Sequence, residues 1–259
     1  MNASFDNPNA QRQTGEGWPT TPLSADIPIC ILAGGLSTRL RPLTETMPKP
    51  MVPVAGKPFV QHVLEHLGRL GFRRFILAVS YLWEQIYDYF GDGGQFGWEL
   101  KYSVEPNALG TGGAVLWAQK FWSYEVLVAN GDTYLPEDFR HMLALHRKAG
   151  EPATMALIHQ DDCSRFGRVK CIDGRVTAFC EKDGTDQPGW INAGIYILSR
   201  RAFGRYRPGE AFSLERDIFP SLCPGICAYF CHTAFADIGT HQSLSAFRSR
   251  SLLKGATHE

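Results

Sequence analysis

The sequence predicts an α/β domain: a mixed, mainly parallel, Rossmann-like sheet flanked by helices. Three observations carry that prediction. Short apolar runs ending in glycine or polar residues (Ile29–Ala33, Phe75–Val79, Glu125–Ala129) have the length of buried strands. Stretches with apolar residues at helical spacing alternate with them, and βαβα order implies parallel pairing with right-handed crossovers. No Pro/Ser-rich linker divides the chain after residue 27, so one domain is expected over 27–259.

In chain order, residues 1–26 are polar and rich in Asn, Gln, Gly, Pro and Thr. They lack the apolar core of a signal peptide and read as a disordered or peripheral tail. After the first strand comes a glycine loop, then a helix over Phe59–Leu70 with Val60, Val63, Leu64 and Leu67 on one face and Gly71 as its stop. Leu82–Phe90 reads as a short helix closed by Gly91, and Trp98–Val104 as an edge strand. Leu109–Ala114 is a second glycine-rich turn opening a helix to about Lys120, and Pro136–Ala149 is a further helix. In the second half, Thr154–Ile158, Gly167–Cys171, Val176–Cys180 and Trp190–Leu198 are strand-like, with Asp173-Gly174 as a hairpin turn. Phe212–Leu222 reads as a helix, Ile226–Asp237 as a strand, and Gln242–Leu253 as a closing helix.

Composition excludes several classes. The 259 residues carry 26 basic and 26 acidic side chains, so no global field draws the chain to nucleic acid or an anionic membrane. No apolar run reaches the roughly 18 residues of a membrane span. Seven cysteines are scattered through strand-like segments and suit free thiols in a reducing cytoplasm better than a disulfide framework. Cys223, Cys227, Cys231 and His232 raise a metal site, but Pro224 and Gly225 argue against a helix there and no C-x-x-C knuckle is present.

Anion binding must therefore be local, and Leu32–Pro58 supplies the means. Leu32 and Ala33 end the first strand; Gly34, Gly35, Ser37, Thr38, Arg39, Arg41 and Lys49 follow. Free N–H groups of a glycine turn form a concavity for anions, and forked guanidinium and ammonium donors suit phosphate oxygens. The loop matches neither the Walker pattern nor the dinucleotide G-x-G-x-x-G, so it reads as a different polyphosphate loop. Asp132, in Asn130-Gly131-Asp132, and Asp237, in Phe235-Ala236-Asp237-Ile238-Gly239-Thr240, each follow an apolar run. Alone, each reads first as a turn or cap residue; together, they suit one Mg²⁺, which takes one or two carboxylates plus substrate phosphates.

The order of these parts, GG-x-STRL-x-PLT, then PKP-x-x-PV-x-GKP, LGTGGA, NGD, EK and N-x-G-x-Y, resembles the sugar-phosphate nucleotidyltransferases over residues 28 to about 246. Ser37 departs from the glycine usual in that family's GG-x-G-T-R-L. The resemblance implies a GT-A-like fold with a nucleotide half (27–150) and a sugar-phosphate half (151–259). It implies that Arg39, Lys49 and Asp132 are catalytic, and that Asp132 and Asp237 hold the magnesium. Leu32, Ala33, Gly34, Gly35, Ser37, Thr38, Arg39, Lys49, Gln85, Glu105, Gly110, Thr111 and Gly112 would bind nucleotide, and Gly131, Gly167, Glu181, Lys182, Asn192 and Gly194 the sugar phosphate. Tyr196 completes N-x-G-x-Y, and Arg165-Phe166-Gly167 resembles a sugar-side segment.

The implied substrates are an NTP, GTP first, and a sugar 1-phosphate. The nearest likeness is to D-glycero-D-manno-heptose 1-phosphate guanylyltransferases, with mannose 1-phosphate guanylyltransferases and N-acetylmuramate 1-phosphate uridylyltransferases as alternatives. A non-catalytic sugar-nucleotide-binding regulatory subunit is the alternative of another class; a glycosyltransferase would need a D-x-D motif, and none occurs. Homo-oligomerisation is left open.

Overall fold

The computed structural model describes residues 27–35, 38–180 and 187–255. In chain order its strands are β1 Ile29–Leu32, β2 Pro53–Val54, β3 Lys57–Pro58, β4 Arg74–Val79, β5 Glu99–Val104, β6 Glu125–Asn130, β7 Thr133–Tyr134, β8 Ala153–Gln160, β9 Arg168–Ile172, β10 Arg175–Cys180, β11 Gly189–Ser199, β12 Ile226–Cys231 and β13 Ala236–Asp237. The α-helices are α1 Phe59–Arg69, α2 Trp83–Phe90, α3 Gly110–Trp117, α4 Phe139–Ala149, α5 Phe219–Leu222 and α6 His241–Gly255.

One nine-stranded sheet runs through both halves in the order β5-β4-β1-β6-β11-β8-β12-β10-β9. β5, β4, β1 and β6 are mutually parallel. β11 then runs antiparallel to both β6 and β8, while β12 returns to parallel pairing with β8. The central strands are apolar on both faces because helices cover both, so alternation is lost and a continuous apolar run remains. Ile29 and Ile31 of β1 face a core shared with Phe59, Val63 and Leu67 of α1, Phe139 and Met142 of α4, and Leu244 and Phe247 of α6. Cys30 faces the opposite core, with Val115 of α3, Phe219 of α5, and Phe212 from the loop before it.

Two elements differ from the expectation. Phe212–Leu222 is not one helix: Leu214–Ile218 is a π-helical turn capped by Ser213, and α5 follows with Pro220 in its first turn. Ile226–Asp237 is not one strand. After β12 the chain leaves the main sheet at His232, and Thr233 donates to the Glu137 carboxylate at 3.1 Å. The chain then pairs through β13 with β7 instead, Asp237 opposite Thr133 and Ala236 opposite Tyr134.

Candidate active site at the carboxyl edge of the sheet

The parallel strands β1, β4 and β6 end together, and ligands bind beyond the carboxyl ends of such strands. A cavity of about 670 Å³ opens there. Its floor is Leu32 and Ala33 after β1, Ser80 after β4, and Asn130, Gly131 and Asp132 after β6. Its walls are Gly34, Gly35 and Lys49 on one side and Glu105, Asn107, Gly110 and Thr111 on the other. Close backbone contacts shape it. Gly131 donates to the Leu32 carbonyl at 2.9 Å, and a Cβ on Gly131 would lie 2.6 Å from that same oxygen. Gly110 takes φ +70, and a Cβ there would lie 2.6 Å from the Phe212 carbonyl oxygen. A side chain at either position would close the cleft or push its walls apart.

Glu105 is the acidic group on the wall that runs from Glu105 to Thr111. One carboxylate oxygen accepts the Leu109 N–H at 3.0 Å. Burial raises its pKa above the ordinary carboxylate value, and the Leu109 hydrogen bond opposes the rise.

Lys49 lies in a short 3₁₀ turn between two prolines and is only 7% exposed. Its ammonium pairs with the Asp132 carboxylate. The second aspartate arrives through the β7–β13 ladder, in which Ile238 donates its N–H to the Asp132 carbonyl at 2.9 Å. Asp237 is held by the Gly239 N–H at 2.8 Å, by Ser243 Oγ at 3.3 Å, and by Arg165 at 3.4 Å. A Cβ on Gly239 would lie 2.7 Å from Asp237 Oδ1 and 3.9 Å from Lys49 Nζ, so the buried cation and both carboxylates surround one small volume.

Other residues singled out in the sequence stand elsewhere. Arg39 is exposed on the 3₁₀ turn Thr38–Leu40, outside the cavity lining. Gln85 directs its amide to the Thr46 carbonyl at 3.0 Å, away from the lining residues. Gly112 donates to the Phe212 carbonyl at 3.0 Å and packs under its ring. Gly167 sits against the Cys180 carbonyl. Asn192 accepts the Gly194 N–H at 2.8 Å and donates to the Tyr196 hydroxyl at 2.8 Å, which forms a bulge in β11 rather than a cavity wall. Ser37, Glu181 and Lys182 lie outside the described residues, as does the side chain of Thr38. Asn130 and Ser80 line the cavity and carried a readable signal: each is a polar residue ending an apolar strand. All seven cysteines are free thiols, and no group of three or more His, Cys, Asp or Glu suited to a metal occurs among the described residues.

The sequence profile of the family described as Nucleotidyl transferase matches residues 29–252. This chain belongs to that family. The nucleotidyl transferase is 35% identical over 221 residues to the D-glycero-alpha-D-manno-heptose 1-phosphate guanylyltransferase of Campylobacter jejuni, covering 84% of this chain and 96% of that protein. It is 37% identical over 216 residues to the mannose-1-phosphate guanylyltransferase of Mycobacterium tuberculosis, but there it covers 81% of this chain and only 60% of the relative. Among solved structures, HddC from Yersinia pseudotuberculosis complexed with GMP-PN superposes with a TM-score of 0.78 at 32% identity, over 87% of this chain and 99% of HddC. No helix of the described residues is long and apolar enough to cross a membrane.

Proposed function

We propose that this nucleotidyl transferase joins GTP to D-glycero-D-manno-heptose 1-phosphate, forming GDP-heptose and releasing pyrophosphate. The observation that carries the reading is the meeting of the glycine-walled cavity with the Lys49, Asp132 and Asp237 cluster at its end. The heptose guanylyltransferases matched over more than nine-tenths of their length, and the guanine ligand named for HddC, support this substrate pair.

In the reaction a sugar-phosphate oxygen forms a bond to the α-phosphorus of GTP as the bond to pyrophosphate breaks, in line. The nucleophile is already an anion and needs no base, so the residues act by positioning and by neutralising charge. Lys49, buried beside the acids, places a fixed positive charge where the α-phosphate must come. Arg39 is exposed on the 3₁₀ turn that follows the glycine loop, and the family resemblance alone assigns it to the departing pyrophosphate. Glu105 offers a carboxylate to the N1–H and N2 amine of guanine, a pairing that adenine and the pyrimidines lack. Asp132 and Asp237 fit an oxygen-seeking divalent cation, for which two carboxylates with phosphate oxygens make a suitable donor set. Mg²⁺ bound there would neutralise charge on the reacting phosphates. Lys182 and Glu181 are assigned to the sugar phosphate by the family resemblance alone. The seven free thiols support a reducing, cytoplasmic setting.

A second reading, mannose 1-phosphate as acceptor, is favoured by the 37% identity to the mycobacterial enzyme. Pyrophosphate formation is measured for a matrix of GTP, ATP, UTP and dTTP against heptose, mannose, glucose and N-acetylmuramate 1-phosphates. The GTP and heptose pair is expected to give the highest kcat/KM. Preference for another base or sugar replaces the assignment, and no turnover with any pair removes it.

A further inference from the structure

The π-helical turn after Ser213 places a carboxylate between Thr111 in the cavity wall and Tyr196 of β11. Ser213 anchors the turn: its Oγ accepts the N–H groups of Glu215 and Arg216, both at 3.2 Å, and its own N–H donates to Asp217 at 2.7 Å. Single π turns inside otherwise regular structure are rare and recur at functional sites. This one turns Glu215 inward. Oε2 receives the hydroxyls of Thr111 at 2.6 Å and Ser213 at 2.9 Å, and Oε1 receives the Tyr196 hydroxyl at 3.3 Å.

The three hydroxyl protons of this network all point at Glu215. Thr111 Oγ1 accepts the Leu214 N–H at 2.9 Å, so its own hydrogen is free for the carboxylate. Tyr196 accepts an Asn192 amide hydrogen, and its single proton therefore also goes to Glu215. Burial, then the neighbouring Glu215 charge, drives the Tyr196 phenol well above its usual range, which keeps that proton in place.

Two arms leave the carboxylate. One ends at Thr111 in the wall of the cavity. The other passes through Tyr196 and Asn192 to the Gly194 bulge, where φ is +72 and a Cβ would lie 2.6 Å from the Asn130 side-chain nitrogen. Asn130 lines the cavity two residues before Asp132.

We propose that Glu215 is a positioning residue that sets the nucleotide wall and the sugar-side bulge against each other through these two arms. The proposal rests on the reading of the cavity as shared by NTP and sugar 1-phosphate. It explains why Asn192, expected on the sugar, is committed to its own bulge: its work is to transmit the position of Glu215 to Asn130.

The test compares wild type with Glu215→Gln, Glu215→Asp and Tyr196→Phe in full steady-state kinetics, with melting temperatures alongside. The pair with highest wild-type kcat/KM in the substrate matrix is used, so a different substrate preference is seen in the wild type and leaves the variant ratios readable. In Glu215→Gln an amide donor faces hydroxyls that donate, and KM for both substrates should rise about tenfold or more. Glu215→Asp, which keeps the charge, should recover part of that. Tyr196→Phe cuts one arm in an apolar-compatible shape, and should raise KM for the sugar phosphate roughly three- to tenfold while the NTP value stays within about twofold. The proposal is overturned if Glu215→Gln moves neither KM or only one of them, or if melting temperature falls with both KM values unchanged. Should Glu215→Gln not fold, Tyr196→Phe decides alone, and unchanged KM for the sugar phosphate overturns the linkage.

Discussion

Replacing Asp132 with Asn separates what the Lys49–Asp132 pair does for the fold from what it does for the reaction. The lysine side chain is 8% exposed and the aspartate 35%. In Asp132→Asn a nearly buried ammonium keeps only a neutral amide. Breaking a fully buried pair costs about 3–5 kcal/mol, and the access of water to Asp132 brings the expected loss to about 2 kcal/mol. For a domain of this size, that lowers the melting temperature by roughly 4–8 °C. Lys49→Met leaves a carboxylate that water can reach, and should lose about 1 kcal/mol or less. The double variant removes both charges and should be about as stable as Lys49→Met alone, a non-additivity of about 2 kcal/mol. Turnover follows a different pattern: each single variant and the double should lose roughly 10²–10³ in kcat, since each lacks a group at the developing charge. Denaturant unfolding, melting curves and pyrophosphate release provide the measurements. Stability losses that add, or an Asp132→Asn enzyme with kcat within threefold of wild type, would refute the reasoning.

Four further outcomes are expected. Asp237→Asn should lower kcat by about 10²–10³ with little change in melting temperature, because its exposed partner Arg165 is worth under about 1 kcal/mol; pyrophosphate release and a thermal melt check it. Glu105→Gln should reduce kcat/KM for GTP by about tenfold or more and narrow the preference for GTP over ITP, which lacks the N2 amine; kinetics with the two nucleotides report it. Gly110→Ala, with φ +70 and backbone 2.6 Å from the new methyl, should destabilise by about 1–3 kcal/mol in urea unfolding. His146 is buried, donates to or accepts from Thr154 at 2.8 Å, and has its pKa lowered chiefly by desolvation. A lowered histidine pKa means that the unfolded chain binds more protons just below the ordinary value of 6.5, so stability is present above that pH and is lost as pH falls below it. Melts from pH 7.5 to 5.0 should show that decline, and His146→Gln should flatten it.

The first half of the fold was legible because its strands are covered on both faces. Ile29–Leu32, Phe75–Val79 and Val126–Ala129 are continuous apolar runs, and the residues at the end of each line the cavity. The turn of glycines at 110–113 was readable for a similar reason, since a Cβ at Gly110, Gly112 or Gly113 would strike the 210–212 segment. What stayed hidden depends on distant partners. β7 and β13 are two residues each, too short to show any period, and they form only where they meet. Phe212–Leu222 carries helical spacing, yet the polar anchors at Ser213 and Asp217 wind its first turn to π pitch. Lys49 stands out for phosphate in the sequence, but its pairing with Asp132 was not readable, because a sequence shows a charge without showing the acid that waits 83 positions later.

The β7–β13 clip joins Thr133–Tyr134 to Ala236–Asp237 across about a hundred intervening residues. That interval holds β8 through β12, the bulge in β11 and the turn at 214–218, so the second acid reaches the first only through a long-range contact. A nascent or partly melted chain can thus own an intact glycine cradle and a docked lysine while still lacking a complete acidic centre. Under the proposed chemistry, turnover depends on this late clip, so activity reports that β13 has reached β7.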